Sequence, residues 1–334
     1  MDNTLTIQPV KHNQFIADIL PEGKVEIESS DKPFIQANTI SSTLIEMKTE
    51  HLIPVYAKDN EPLISGADFI ETTAEIVEDM FHGETILKPC IRLSHPIKGR
   101  VPLAKDKPAA DLEEWEKTIF YERIAFIIEI PSITDVVDGN RLSLTVGGIK
   151  SYSLDNLYTH KGADEHFKIF IGFQNKVCLN LCVWSDGAMM DLKVTNKGQL
   201  MACIRSLIQN YNQSHHLFHL KELCNYSLTE QQFAQLVGRT RMYQYLPSTI
   251  KKDIPQLLFG DTQIGSVVRD YYKDDSFCKM DDGTLNLWRL YNLFTTVNKS
   301  TYIDQFLERG VNAFSFAYNI KSALQNQTFN WYLN

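Results

Sequence analysis

The sequence predicts an α+β fold: a mainly antiparallel sheet in the N-terminal and middle part, with helices packed on it that dominate the C-terminal part. Strand-like alternation of apolar and polar residues is concentrated in the middle third of the chain. From Gly198 onward the apolar residues recur at helical spacing instead. Runs of strands followed by runs of helices are typical of α+β proteins.

Three regions follow from these changes in pattern. Residues 1–50 are acidic and polar and predict a loosely structured arm, with one short strand and one short helix near Thr43–Lys48. Residues 51–198 are expected to form a strand-rich α+β core. Residues 199–334 are expected to form a helical part. Because no linker of biased composition separates core and helical part, we expect one composite unit.

The core begins with His51–Ser65, which predicts a strand running into a turn. Apolar residues at helical spacing predict a helix over 66–81. Ile91–Ser94 is a short candidate strand. Ala125–Ile130 is a mainly apolar candidate strand that Pro131 is expected to end, because proline cannot donate to a strand ladder.

The strongest signal in the chain is an antiparallel hairpin. A half-buried strand at 142–146 precedes it, with leucine and valine alternating with polar residues. Phe167–Ile171 and Val177–Val183 then alternate on either side of a turn at Gln174 and Asn175. We therefore predict two paired strands over this segment.

The C-terminal part contains a succession of predicted helices. Residues 198–226 hold one long helix or two. A capping box from Ser227 to Glu230 is predicted to begin the next helix. Three further helices are predicted at 259–272, 285–297 and 301–316.

Composition excludes several classes of protein. Hydrophobic residues make up 43% and charged residues 22% of the 334 residues, an ordinary globular mix that excludes a mainly disordered chain. With 33 Lys and Arg against 41 Asp and Glu, the net charge is −8. That charge argues against a protein that coats nucleic acid non-specifically, although it is compatible with a local basic groove.

Cysteine usage and hydropathy predict a soluble cytoplasmic protein without a membrane partner. The six cysteines form no C-x-x-C pair and lie mostly in apolar runs, which favours free thiols in a reducing compartment. The N-terminus lacks the pattern of a signal peptide. No apolar stretch approaches the ~20 residues that span a bilayer.

Common catalytic motifs are absent from the sequence. It contains no G-x-G, no P-loop, no G-x-S-x-G and no H-E-x-x-H. We therefore expect a protein that is not an enzyme and that carries no cofactor and no metal.

Three weaker patterns offer alternatives. His215 and His219 stand four residues apart, as a zinc pair would, but a polar helix face explains them as well. Four aspartates in DDSFCKMDDG suit Mg²⁺ or Ca²⁺, or an acidic surface turn. Asp191-Leu-Lys193 resembles the D-x-K half of a metal-dependent nuclease, in which two carboxylates hold Mg²⁺ and the lysine orients water; Asp186 would be the second carboxylate, and a chance match of so short a tripeptide is the alternative.

The first of two basic segments runs from Lys88 to Pro108, where six bases stand against one acid. Prolines hold this backbone extended, so the stripe is suited to following a phosphate backbone. An edge strand kept soluble by lysines is the alternative interpretation. The residues expected to bind nucleic acid here are Arg92, His95, Lys98 and Arg100.

The second basic segment, GRTRMYQYLPSTIKKD, interleaves cations with tyrosines. Aromatic rings beside cations are suited to single-stranded nucleic acid, because bases stack on the rings while cations neutralise phosphates. Basic residues favoured by a helix C-terminus explain part of the pattern equally well. The expected binding residues are Arg239, Arg241, Tyr243, Tyr245, Lys251 and Lys252.

Seven segments resemble, as a group, an uncharacterised domain-of-unknown-function family, number 3871, of Bacteroides-type bacteria. They are RLSHPIKGR at 92–100, EKTIFYERIAFIIEIPSI at 116–133, LSLTVGGIKSYSLDNLY at 142–158, HFKIFIGFQNKVCLNLCVWSDG at 166–187, FAQLVGRTRMY at 233–243, LLFGDTQIGSVVRDYYKDDSF at 257–277 and LNLWRLYNLFTTVNKSTYIDQFLER at 285–309. The resemblance covers residues 32–334.

A second resemblance concerns the pattern W-x-L-Y-N-x-x-T at Trp288–Thr295, which is similar to family 932, a phage- and plasmid-borne family of unknown function. These resemblances imply a cytoplasmic protein of a mobile element and supply no catalytic residue. The order of antiparallel strands followed by a helix is also similar to the β-β-β-α core of single-strand annealing proteins, although many α+β folds share it.

Three hypotheses for function remain open. The first is a non-enzymatic, oligomeric protein that binds single-stranded DNA of a phage or plasmid, in an annealing or recombination role. The second is the metal-dependent nuclease. The third is a protein-interaction or structural component of the mobile element, with Trp288 and Tyr291 as exposed contact residues, although core packing also explains them.

Overall fold

The computed structural model describes residues 33–49, 64–95, 97–156 and 164–334, together with two short paired strands before them. Most of the predicted strand at His51–Ser65 lies outside these residues. The strands are β1 (Ala17–Ile19), β2 (Val25–Ile27), β3 (Thr39–Ser42), β4 (Cys90–Ser94), β5 (Ile97–Arg100), β6 (Lys117–Phe120), β7 (Arg123–Val137), β8 (Asn140–Ser151), β9 (Glu165–Asn175), β10 (Leu181–Cys182), β11 (Ala188–Val194), β12 (Ser227–Leu228) and β13 (Leu285–Asn286).

Helices dominate the chain after β11, as the α+β prediction requires. The helices are α1 (Leu44–Thr49), α2 (Gly66–Met80), α3 (Tyr152–Asn156), α4 (Lys197–Asn210), α5 (Gln213–Glu222), α6 (Glu230–Tyr243), α7 (Ser248–Lys251), α8 (Asp261–Lys273), α9 (Leu287–Asn298) and α10 (Ile303–Asn326). The predicted fold class is confirmed.

A seven-stranded antiparallel sheet lies at the centre of the fold. Its order is β10-β9-β8-β7-β4-β3, and β11 also pairs with β9. The hairpin β5–β6 forms a separate two-stranded sheet. The long strands β7, β8 and β9 pair over most of their length and form the middle of the central sheet.

The central sheet is covered on both faces, which explains the apolar run in the first half of β7. Along β7, Ile124 and Phe126 belong to the main hydrophobic core, which includes residues of α2, α4 and the C-terminal helices. Ala125 and Ile127 belong to a second core, formed with Phe34 and the first half of α10. Successive strand residues thus serve opposite faces.

The structure corrects the expected end of the apolar strand at Pro131. β7 continues to Val137, and the pairing register shifts between Ile130 and Thr134, so the strand accommodates proline in a bulge. A bulge tolerates proline because the extra residues leave the ladder.

The strong hairpin is confirmed, but its second strand is shorter than predicted. β9 pairs with β10 over two residue pairs only, Leu181 with Gln174 and Cys182 with Phe173. Asn175 and Asn180 bond across a longer connection, in which Leu179 has a positive φ of 57°. The segment before β10 therefore turns instead of continuing the ladder.

Two further sequence expectations are refined in the helical part. Residues 198–226 form two helices, because Asn212 caps a second helix after α4 ends. The capping box of α6 joins Thr229 to Gln232, so the expected box at Ser227 is wrong; Ser227 lies in β12.

Residues 33–49 of the expected loose arm pack onto the folded core. β3 is the edge strand beside β4, and α1 is the helix expected near Thr43–Lys48. Phe34 and Ile35 are buried in the second core. The backbone amides of Gln36 and Ala37 both donate to the carbonyl of Lys299, which ties this segment to the end of α9.

Candidate nucleic-acid interface

Arg92, the first residue expected to contact phosphate, is instead committed to pairing β4 with β3. Its guanidinium donates to the Thr39 hydroxyl at 3.0 Å, to the Thr39 carbonyl at 2.7 Å and to the Ser41 hydroxyl at 2.7 Å. Partial burial lowers its pKa from the usual arginine value. A guanidinium with these partners is a structural link between strands and offers little to a phosphate.

The remaining members of the first basic set lie after β4. His95 is exposed and lines a cavity of about 110 Å³ with Arg123 and Tyr302. Lys98 and Arg100 belong to β5, where the backbone of Arg100 faces Lys117 of β6. Their side chains lie outside what the structure describes.

Members of the second basic set are brought together around the end of α6. We call Arg239, Arg241, Tyr245, Lys251 and Lys252 the α6–α7 surface. Lys251 donates to the Gln244 carbonyl at 3.1 Å, which fixes α7 against the end of α6. Met242 and Ile250 beside it are also exposed.

The arginines of the α6–α7 surface already have partners. Arg241 forms a two-point ion pair with Asp261, the first residue of α8, at 2.6 and 2.9 Å, and this contact raises the arginine pKa. Arg239 lies over the Trp331 ring at 5.0 Å and donates to the Asn334 carbonyl at 2.8 Å. Both pairs are largely exposed to solvent, where such contacts are weak and exchangeable.

The two tyrosines of this segment have different roles. Tyr243 is only 6% exposed, and Trp331 and Tyr332 of the C-terminal segment pack against it. The structure thus removes Tyr243 from the expected stacking residues, because its ring faces are covered. Tyr245 is 84% exposed and presents its ring to solvent beside Arg241.

The three residues of the nuclease hypothesis lie along one short segment without forming a metal site. Asp186 lies in a 3₁₀ turn before β11, Asp191 occupies a bulge in β11 with a positive φ of 56°, and Lys193 pairs with His166 of β9. In the part of the chain that the structure describes, no group of three or more His, Cys, Asp or Glu is placed to hold a metal.

The histidine pair does come together, but in a hydrogen-bonded chain. The Nε2 atoms of His215 and His219 lie 3.0 Å apart, and Nδ1 of His219 lies 3.0 Å from Glu222. His216 between them is buried, and burial together with its two histidine neighbours lowers its pKa to about 3. Cys224, one turn beyond this pair, contacts the Leu220 carbonyl.

Comparison with protein families identifies the family of this chain. A family model described as "Domain of unknown function, B. Theta Gene description (DUF3871)" matches residues 17–333, nearly the whole chain. The chain belongs to this family. No curated protein matches the chain, and no solved structure does.

The description of the DUF3871 family states no activity, so residue roles in this member rest on its geometry. Sequence reasoning missed two exposed apolar side chains in the loop that connects β5 to β6. Leu103 is 92% exposed and Trp115 is 66% exposed. A tryptophan set among acidic residues, as in DLEEWEK, lacks the apolar neighbours of a core position, and this was the available signal.

Two further expectations concern the aromatic residues of α9 and the presence of a membrane-spanning helix. Trp288 and Tyr291, suggested as exposed contact residues, are fully buried in α9, so the core interpretation of them is correct. Among the helices in the described ranges, none combines the length and hydropathy needed to cross a membrane.

Proposed function

We propose that this member of the DUF3871 family binds single-stranded nucleic acid at the α6–α7 surface and is not an enzyme. The observation that carries the proposal is the exposure of Tyr245, whose ring is 84% accessible in a segment of four bases. An exposed tyrosine ring next to cations offers a flat face on which a nucleobase can stack.

The charge around Tyr245 supports an anionic partner, such as nucleic acid, over a basic or neutral one. From residue 238 to 261 there are four bases and two acids, whereas the whole protein carries −8. A local positive patch on an acidic protein confines binding to one surface. The ion pair of Arg241 with Asp261 can exchange its carboxylate for a phosphate, because a guanidinium fork fits either group.

The proposal extends to the biological setting. A cytoplasmic, oligomeric protein of a phage or plasmid, acting in annealing or recombination of DNA, would use such a surface repeatedly along one strand. The similarity of Trp288–Thr295 to the phage- and plasmid-borne family 932 supports this setting. The strand order followed by α4 is compatible with an annealing fold.

The test is fluorescence anisotropy of the full chain with labelled single- and double-stranded DNA over a range of salt. We expect salt-sensitive binding that prefers single strands. Tyr245→Ala should weaken binding about fivefold or more, since one stacked base contributes ~1–3 kcal/mol. Lys252→Glu should reduce the slope of the logarithm of the binding constant against the logarithm of the salt concentration. The reduction should be at least about 0.7, which is the contribution of one phosphate contact on a single strand.

Matched controls separate this surface from general effects. Tyr272→Ala removes another exposed tyrosine, and Lys197→Glu reverses another exposed lysine at the start of α4; both should bind as wild type. Charge reversal at Lys98 and Arg100 tests β5 as a second contact. Salt-insensitive binding, or equal losses in the control variants, would refute the proposal.

The same purified protein also tests the two other hypotheses. Cleavage of DNA that requires Mg²⁺ and disappears in Asp191→Ala would indicate the nuclease instead. A chain that retains a host protein and no nucleic acid would indicate a protein-interaction role.

A further inference from the structure

One side of α5 carries two histidines whose ring nitrogens lie within hydrogen-bond distance of each other. The Nε2 atoms of His215 and His219 are 3.0 Å apart. His215 is exposed, and the side chain of His219 is 13% accessible to solvent. Because residues four apart share one face of a helix, the backbone of α5 itself sets this separation. Neutral imidazole nitrogens are the commonest metal ligands in proteins.

Glu222 determines which nitrogen of His219 carries the proton. Its Oε2 atom lies 3.0 Å from Nδ1 of His219, and its Oε1 atom accepts from Nζ of Lys321 at 2.9 Å. A carboxylate paired with a lysine only accepts hydrogen bonds, so a neutral His219 carries its proton on Nδ1. Its Nε2 atom then keeps a lone pair on the side of His215. A carboxylate on the second ring nitrogen is the arrangement that orients metal-ligating histidines in proteins.

Aromatic rings hold the two imidazoles in place. The centre of the Trp184 ring lies 4.9 Å from that of His215 and 5.2 Å from that of His219. Tyr318 of α10 packs edge-on against His219 at 5.0 Å. His219 is therefore fixed by its own helix, by Trp184 and by α10. A side chain that its neighbours already hold loses little rotamer freedom when it binds an ion.

The separation of the two nitrogens favours one kind of metal ion. Bonds of about 2.0–2.1 Å from two imidazole nitrogens to one ion place those nitrogens about 2.9 Å apart at a right angle and about 3.4 Å apart at the tetrahedral angle. The observed 3.0 Å between the Nε2 atoms of His215 and His219 is close to the right-angle value. Right angles between ligands are typical of the square-planar or tetragonal complexes of Ni²⁺ and Cu²⁺.

We propose that His215 and His219 bind one divalent transition-metal ion of the Ni²⁺ or Cu²⁺ class through their Nε2 atoms. Water molecules complete the coordination from the exposed side, and the proton of a neutral His215 then lies on Nδ1. Because no third His, Cys, Asp or Glu joins the pair within the described ranges, binding is reversible and weaker than at a structural zinc site. The proposal departs from the absence of a metal expected from the sequence, and it does not depend on the proposed nucleic-acid function.

Isothermal titration of the full chain, without an affinity tag and freed of metal with a chelator that is then removed, tests the inference with NiCl₂ as the probe. We expect saturable binding of one Ni²⁺ per chain. His215→Ala and His219→Ala should each weaken the affinity about tenfold or more, because each removes one of two ligands. MgCl₂ should give no saturable heat, because hard cations prefer oxygen ligands.

His82→Ala is the matched control, because this exposed histidine lies 3.3 Å from the Asp79 carbonyl and should leave the titration unchanged. Since His215 is exposed, His215→Ala should keep the fold, which circular dichroism verifies. Bound Ni²⁺ should also quench the emission of Trp184, and Trp184→Phe should remove that quenching while it keeps the affinity. No saturable binding of Ni²⁺, or equal affinities in His215→Ala and wild type, would overturn the inference.

Discussion

Lys150 and Glu165 form a fully enclosed ion pair beneath the N-terminus of α2, with 2.7 Å between Nζ and Oε2. The other carboxylate oxygen of Glu165 accepts from the Ile64 amide at 3.0 Å, just before α2 begins. The lysine also lies 3.9 Å from the centre of the Phe167 ring. The pair therefore joins β8, β9 and the start of α2 at one point.

Lys150→Met is expected to destabilise the protein by about 3–5 kcal/mol, because it leaves the Glu165 carboxylate buried without its cation. Urea unfolding followed by circular dichroism measures the loss. Lys48→Met is the control: its ion pair with Glu71 is largely exposed, so the cost should stay below about 1 kcal/mol. Similar losses in both variants would show that the buried pair has no special role.

Gly148→Ala is expected to destabilise the protein by about 1–3 kcal/mol, the usual cost of overpacking a core. A β-carbon at this position would lie 2.4 Å from Cζ of Phe69, which packs from α2 onto the sheet. Gly238→Ala is the matched change in open space on α6, and it should stabilise the protein by about 0.5–1 kcal/mol. Thermal unfolding of both variants measures whether each change lowers or raises the stability of the protein. An unchanged stability in Gly148→Ala would contradict the tight contact with Phe69.

His216 is expected to make the protein less stable as the pH falls below about 6.5. Burial lowers its folded pKa to about 3, with the charges of His219 and His215 as further causes, and its Nδ1 atom lies 2.6 Å from the Tyr211 hydroxyl. Between pH 6.5 and 3 the unfolded chain therefore binds a proton that the folded chain does not. Stability falls with decreasing pH in that window, by about 1.4 kcal/mol per pH unit from this group.

Urea unfolding of wild type and His216→Gln at pH 7.5, 6.0 and 5.0 measures this contribution. The variant should be less stable at pH 7.5 and should lose less stability on acidification. His95→Gln, at an exposed position, should follow the wild-type slope. Parallel slopes for wild type and His216→Gln would show that another group accounts for the pH dependence.

Thr229→Ala is expected to cost about 1 kcal/mol, because the Thr229 hydroxyl accepts from the Gln232 amide at the first turn of α6. Ser227→Ala should change stability by less than about 0.5 kcal/mol, since Ser227 lies outside the helix on an exposed strand position. Thermal unfolding compares the two variants directly. A larger loss of stability in Ser227→Ala than in Thr229→Ala would show that Ser227 caps α6, as the sequence analysis expects.

Much of the fold follows from local pattern. The apolar run at the start of β7 and the alternation in β9 indicate strands, and the helical spacing of α9 and α10 indicates packed helices. The strand end expected at Pro131 and the cap expected at Ser227 were wrong because two local outcomes satisfy the same rule in each case: proline fits a strand end or a bulge, and Ser227 or Thr229 can cap α6. The choice between them depends on pairing with β8 and β13.

The candidate site was less accessible to prediction. The basic and aromatic residues near the end of α6 are visible in the sequence, but Tyr243 and Tyr245 stand two residues apart in nearly the same local context. Only the tertiary structure separates them, because Trp331 and Tyr332, some 90 residues away, cover the first ring and leave the second in water.

The sequence by itself determined the α+β class, the succession of strands and helices, and the segments in which cations and aromatic rings are concentrated. These properties are set by the period and composition of short segments. The tertiary structure decided which side chains reach solvent and which charges meet, as when Glu129 of β7, Arg141 of β8 and Lys176, which follows β9, line one cavity. Exposure and charge pairing depend on contacts between distant parts of the chain, and local pattern does not encode those contacts.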